Sequence, residues 1–153
     1  MEKKRYYLAY GSNLKKAQMK ERCSEARFVG TTEVPDYELL FKQSKTGYYL
    51  TIEPAKGKLV PVAVWETTDK DEKCLDVYEG FPEQYGKSEM KVSVQRSDNG
   101  LTETLTVYVY TLPKEREIGS PTAEYIERCR QGYRDFGFSE KYLDEAIEKS
   151  GGM

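Results

Sequence analysis

The chain has 153 residues, 38% of them hydrophobic and 33% charged, with a net charge of −2 and no histidine. That length suits one domain able to bury a core without metals or disulfides as staples, and interspersed charges with no basic stripe exclude the footprint of a nucleic-acid binder. Without histidine there is no Ser-His-Asp or Cys-His system and no histidine-ligated metal, so proton transfer near neutral pH falls to a carboxylate of raised pKa, a Lys, a Cys or a Tyr.

The N-terminal Glu2-Lys3-Lys4-Arg5 reads as a solvated terminus, without the apolar region of a signal peptide. No apolar stretch approaches the ~18 residues of a membrane span. Cys23, Cys74 and Cys129 are odd in number and lack CxxC spacing, so neither a disulfide framework nor a zinc site is expected. A cytoplasmic location is the expectation.

Arg5–Tyr10 reads as a strand that ends at Gly11-Ser12-Asn13. Leu14–Cys23 then reads as a helix with Leu14, Met19 and Cys23 facing inward. Phe28–Val34 and Tyr37–Lys42 are expected strands around a turn at Pro35-Asp36. Tyr48–Ile52 and Leu59–Trp65 are two more, separated by the turn-rich Pro54-Ala55-Lys56-Gly57. Asp69–Tyr78 has helical signals: Thr68 or Asp69 as cap, a loose capping box from Asp69 and Glu72, Leu75 and Tyr78 on one face, and a stop at Gly80.

Glu89–Arg96 and Leu101–Leu112 form the clearest hairpin, turning at Asp98-Asn99-Gly100. In its second arm Val107 and Val109 alternate with Tyr108 and Tyr110, the pattern of a strand covered on both sides. Ser120-Pro121 predicts a helix start, running to about Tyr133 with a break at Gly137. A last helix, Glu140–Lys149, has Ser139 as cap and Leu143, Ala146 and Ile147 for the core. No repeat or linker divides residues 1–153. The expected architecture is a single α+β domain, with a mostly antiparallel, barrel-like sheet and surrounding helices.

Three segments carry candidate chemistry. Tyr10-Gly11-Ser12-Asn13, between strand and helix, lets backbone amides converge at a helix N-terminus, an anion site for a carboxylate or an oxyanion; the same residues also serve as an ordinary turn with an N-cap. Glu79 closes a helix, where the negative dipole end raises a carboxyl pKa as a general base requires; read singly it is one of 26 acidic residues. Asp76, its rival, is better suited to a hydrogen bond that fixes the helix. Tyr125 projects a hydroxyl from the helix after Pro121-Thr122, or serves as a core-edge aromatic. Thirteen tyrosines suit a lined pocket as well as a packed core.

Taken in order, these segments resemble the γ-glutamylcyclotransferase-like family over nearly the whole chain. Tyr7-Leu8-Ala9-Tyr10-Gly11-Ser12-Asn13-Leu14 is similar to its opening signature. Met19 with Arg22-Cys23, Thr51–Ala55, and Leu75-Asp76-Val77-Tyr78-Glu79-Gly80 are similar to later ones, as are Pro121–Tyr125 and Gly132-Tyr133. The resemblance implies Glu79 as proton acceptor, Tyr7, Leu8, Ala9, Tyr10, Gly11 and Ser12 lining the substrate site, and Tyr125 touching substrate. It implies lactam closure of a γ-glutamyl compound to 5-oxoproline, with no metal or other cofactor, a small-molecule substrate and a homodimer as an open expectation. Thr122 stands where the family usually has Ser, and Val62-Ala63 where many members have Gly. γ-Glutamylamine substrates, or a non-catalytic protein binding amino-acid-like ligands, are the alternatives.

Overall fold

A computed structural model describes residues 4–151. Five strands form one sheet in the order β2-β3-β1-β5-β4: β1 (Arg5–Ala9), β2 (Arg27–Ser44), β3 (Gly47–Thr67), β4 (Gly86–Gln95) and β5 (Thr102–Thr111). All neighbours are antiparallel except β1 and β5, which pair in parallel through Tyr6 with Val107 and Tyr7 with Tyr108. The alternating valines and tyrosines of β5 are buried on both faces, as their pattern predicts for an interior strand.

Barrel-like is a loose description, because the sheet curls without closing. Its two edges meet where the Ser97 amide donates to the Val29 carbonyl at 2.8 Å and Thr32 Oγ1 donates to the Ser93 carbonyl at 2.6 Å, with no ladder between β2 and β4. Gly30 permits this approach: a Cβ there would lie 2.3 Å from the Gln95 carbonyl oxygen.

The four strands expected between residues 28 and 65 are two long ones forming a single hairpin. Its tip is Lys45-Thr46. Pro35-Asp36 and Pro54–Gly57 do not reverse the chain; they face one another across the ladder. Asp36 (φ 61°) accepts from the Gly57 amide at 3.0 Å, and the register shifts between Pro35 and Tyr37. Turn residues here make an irregularity within paired strands.

The helices are α1 (Lys16–Arg22), α2 (Asp69–Glu79), α3 (Ala123–Phe136) and α4 (Lys141–Lys149), with a 3₁₀ turn at Ser12–Leu14 before α1. Leu14, Met19, Cys23, Leu143, Ala146 and Ile147 are buried as expected. Three capping details differ. Thr68 and Asp71, rather than Asp69 and Glu72, make the capping box of α2. Thr122, not Ser120, caps α3, accepting from the Tyr125 amide. Ser139 Oγ accepts from the Lys141 amide, while Glu140 holds the N-cap position of α4. No helix among the described residues is long and apolar enough to cross a membrane.

Candidate active site

α2 ends where its sequence directs. Gly80 takes the left-handed conformation (φ 68°) and the amides of Gly80 and Phe81 turn back onto the last carbonyls. That leaves Glu79 as the final helical residue, half-buried and facing a cavity of about 410 Å³. Behind it, the helix is held by its polar face. Asp76 accepts from the Tyr110 hydroxyl at 2.6 Å and from Lys87 at 2.8 Å, while Glu72 takes Lys87 at 2.7 Å and Arg5 at 2.9 Å. Asp76 therefore has the positioning role expected of it and does not line the cavity. Leu75 is buried, but Tyr78 is 40% exposed and does not share its burial. The Tyr78 ring turns to the cavity rim, its hydroxyl 3.1 Å from Ser12 Oγ and the Arg22 guanidinium 3.5 Å from its centroid.

The opposite wall is the end of β1 and the turn after it. Tyr7, Leu8, Tyr10, Gly11, Ser12 and Asn13 line the cavity; Ala9, paired with Ala63, is buried and is not part of the lining. The Gly11 carbonyl accepts from the Leu14 amide, whereas the amides of Gly11, Ser12 and Asn13 donate to no described residue. Three donors at a turn that opens into a cavity form an anion-accepting nest. The turn is pressed into place by α3: a Cβ on Gly132 would lie 2.7 Å from Leu14 Cβ and 2.8 Å from the Lys15 amide nitrogen, so only glycine allows this contact.

Tyr125 completes the floor. Its hydroxyl accepts from the Leu50 amide at 3.1 Å, its ring meets Tyr49 edge-on at 5.0 Å, and a Cβ on Gly11 would lie 3.6 Å from its oxygen. Tyr85 donates to the Leu50 carbonyl at 2.9 Å, and the single Tyr10 hydroxyl proton goes to the Tyr110 carbonyl at 2.6 Å, with the Leu50 carbonyl at 3.4 Å as a weaker second acceptor. Seven tyrosines line the cavity, so its walls are apolar rings tipped with hydroxyls.

Among the described residues the Glu79 carboxylate has no hydrogen bond or ion pair, and it is the only carboxylate in the lining. Burial raises its pKa to about 7, opposed by the positive charge of Arg22. Burial also holds the Tyr7, Tyr10 and Tyr85 hydroxyls well above their usual pKa, with the Glu79 charge adding to the effect. These tyrosines are therefore neutral hydrogen-bonding groups at pH 7, whereas the Glu79 carboxyl can hold or release a proton near that pH.

The fold thus brings the predicted Glu79, Tyr7, Leu8, Tyr10, Gly11, Ser12 and Tyr125 to one cavity. Two groups that shape the site, Leu50 in the lining and Arg22 beside it, were not among the sequence candidates. Leu50, whose amide and carbonyl organise three tyrosines, reads as an ordinary strand residue. Arg22 acts from α1, where it donates to Asn13 Oδ1 while Asn13 donates to the Tyr7 hydroxyl at 3.0 Å. The signature segment containing Arg22-Cys23 was the one available clue to it.

Residues 7–127 match the family described as "Gamma-glutamyl cyclotransferase, AIG2-like". Solved structures of similar fold include one named "Gamma-glutamyl cyclotransferase", 22% identical, with a TM-score of 0.77 over 94% of this chain and 86% of that one. An uncharacterized protein from Homo sapiens is 24% identical, with a TM-score of 0.75 over 94% of this chain and 86% of its own. A γ-glutamyl cyclotransferase from yeast, described as specific to glutathione, is 14% identical, with a TM-score of 0.69 over 97% and 96%. Likeness at these identities is likeness of fold. No curated protein matches the sequence.

Proposed function

The chain belongs to the AIG2-like γ-glutamyl cyclotransferase family, and from that premise we propose that it closes γ-glutamyl compounds to 5-oxoproline, releasing an amine or amino acid, with Glu79 as the acid/base. The observation that carries this reading is that, among the described residues of the cavity lining, the one carboxyl group is unpaired, has a pKa raised to about 7 and shares the cavity with the amides of the Gly11-Ser12 turn.

A γ-glutamyl donor already contains its own nucleophile. The α-amine attacks the δ-carbonyl, forming the ring C–N bond, and the bond to the leaving nitrogen then breaks. Holding the donor folded removes up to ~7–11 kcal/mol of barrier in ideal intramolecular cases. Ionised Glu79 accepts the proton that the α-ammonium must lose before attack. It gives that proton to the departing nitrogen, then takes the second proton that the ring nitrogen sheds as the lactam forms and passes it to the released amine, which departs as an ammonium with the carboxylate regenerated. A pKa near 7 suits both halves of the exchange.

The amides of Gly11 and Ser12 receive negatively charged oxygen of the glutamyl half, at ~3–4 kcal/mol per donor where that oxygen is the developing oxyanion. The Tyr125 hydroxyl, fixed by Leu50, orients the donor against that turn. The test is mass-spectrometric detection of 5-oxoproline from a panel of γ-glutamyl amino acids, γ-glutamylamines and glutathione. Product from at least one class is expected. Tight donor binding without product would return the chain to a ligand-binding role.

A further inference from the structure

The charged groups around the cavity are unbalanced. Among the described residues of the lining, the one carboxylate, Glu79, already feels the charge of Arg22, and two further cations, Lys45 and Arg128, stand without a paired carboxylate. Lys45 lies at the tip between β2 and β3, and its amide donates to Gln84 Oε1 at 2.8 Å, which also accepts from Ser44 Oγ at 3.1 Å. The tip is thereby pinned to the loop that follows Glu79. Arg128 projects from α3 one turn after Tyr125.

Neither side chain has a hydrogen bond or ion pair with any described residue. Other arginines of α3 are paired: Arg130 with Glu140 and Asp144, Arg134 with Glu127 and Glu140. A half-buried guanidinium without an anion is unfavourable, and a bound anion would relieve it.

Position says which part of a donor these cations meet. The floor, formed by Tyr7, Tyr10, Gly11 and Leu50, is buried, while Lys45 is exposed and Arg128 half-buried. The glutamyl half must reach the floor to present its reacting atoms to Glu79 and the turn amides, which leaves the departing amine toward the rim. Charge agrees: a glutamyl group brings one ammonium for Glu79 and one carboxylate, and two cations at the rim leave room for a second carboxylate.

We infer that Lys45 and Arg128 select donors whose leaving amine carries a carboxylate, an amino acid or peptide, over donors with uncharged amines. This rests on the cyclotransferase reading above.

The experiment compares γ-glutamylalanine with γ-glutamylalaninamide, which share a shape and differ in that one charge. Wild-type protein should prefer the carboxylate donor by about 10- to 100-fold in kcat/KM, chiefly through KM. Arg128→Gln combined with Lys45→Gln should bring the ratio near one, and Arg128→Lys should retain much of it. Lys45→Gln alone, at an exposed position, gives a partial fall in the ratio if the Arg128 variants fail to fold. Equal wild-type kcat/KM on the two donors overturns the selectivity and leaves the cyclotransferase reading standing. A proportional loss on both donors in Arg128→Gln, with the ratio kept, also overturns it, because the charge then acts on the glutamyl half. No 5-oxoproline from either donor or from the wider panel overturns the cyclotransferase reading itself, and this inference with it.

Discussion

Replacing Glu79 with Gln should make the protein more stable at pH 8 and change little at pH 4.5. Burial raises the Glu79 pKa from 4.5 to about 7. Between those values the folded protein holds a proton that the unfolded chain has released, so wild-type stability falls as pH rises through that window, and the penalty is complete above it. At about 1.4 kcal/mol per tenfold change in proton affinity, the ceiling is about 3 kcal/mol. Solvent reaching the half-buried carboxylate through the open cavity reduces the expected gain to about 1–2 kcal/mol. Glutamine keeps the shape and has no charge to desolvate. Urea unfolding of both proteins between pH 4.5 and 8 measures the difference directly, and a Tm rise of about 3–6 °C at pH 8 is the thermal counterpart. A stability difference that does not grow with pH, or a variant less stable at pH 8, would refute the claim that an uncompensated carboxylate sits in this cavity.

Two further predictions concern the groups that set this carboxylate's surroundings. Arg22→Gln removes the charge that favours ionised Glu79, so the acidic limb of the kcat/KM profile, expected near pH 7, should move to higher pH; an unmoved limb would detach Arg22 from Glu79. Gly132→Ala pushes a methyl group against Leu14 and the Lys15 amide, displacing the turn that holds Gly11 and Ser12. It should cost about 1–3 kcal/mol in denaturant unfolding and lower turnover, and wild-type behaviour in both would show that α3 does not position the turn.

Local chemistry was readable where one residue decides an outcome. Gly80 stops α2, so Glu79 falls at a helix end, and Asp98-Asn99-Gly100 closes the hairpin of β4 and β5. What could not be read depends on residues distant in sequence. Pro54–Gly57 carries every mark of a reversing turn, yet opposite it the chain supplies Pro35-Asp36, and the ladder continues past both. The parallel contact of β1 with β5 joins segments about a hundred residues apart and leaves no local trace. Tyr78 was expected beside Leu75, but Arg22 and Ser12 hold it at the rim. Glu79 itself was visible as an acid, while its want of a partner is a property of the assembled cavity. Lys45 and Arg128 are equally unremarkable in sequence, because what distinguishes them is that neither side chain pairs with a carboxylate among the described residues.

The central claim is tested most directly by 5-oxoproline formation from the best donor at saturation and neutral pH, wild type beside Glu79→Gln, with both proteins shown to be folded. Loss of about 10²–10⁴-fold in the variant, with donor binding retained, is the predicted result. Turnover by Glu79→Gln at the wild-type rate would contradict it.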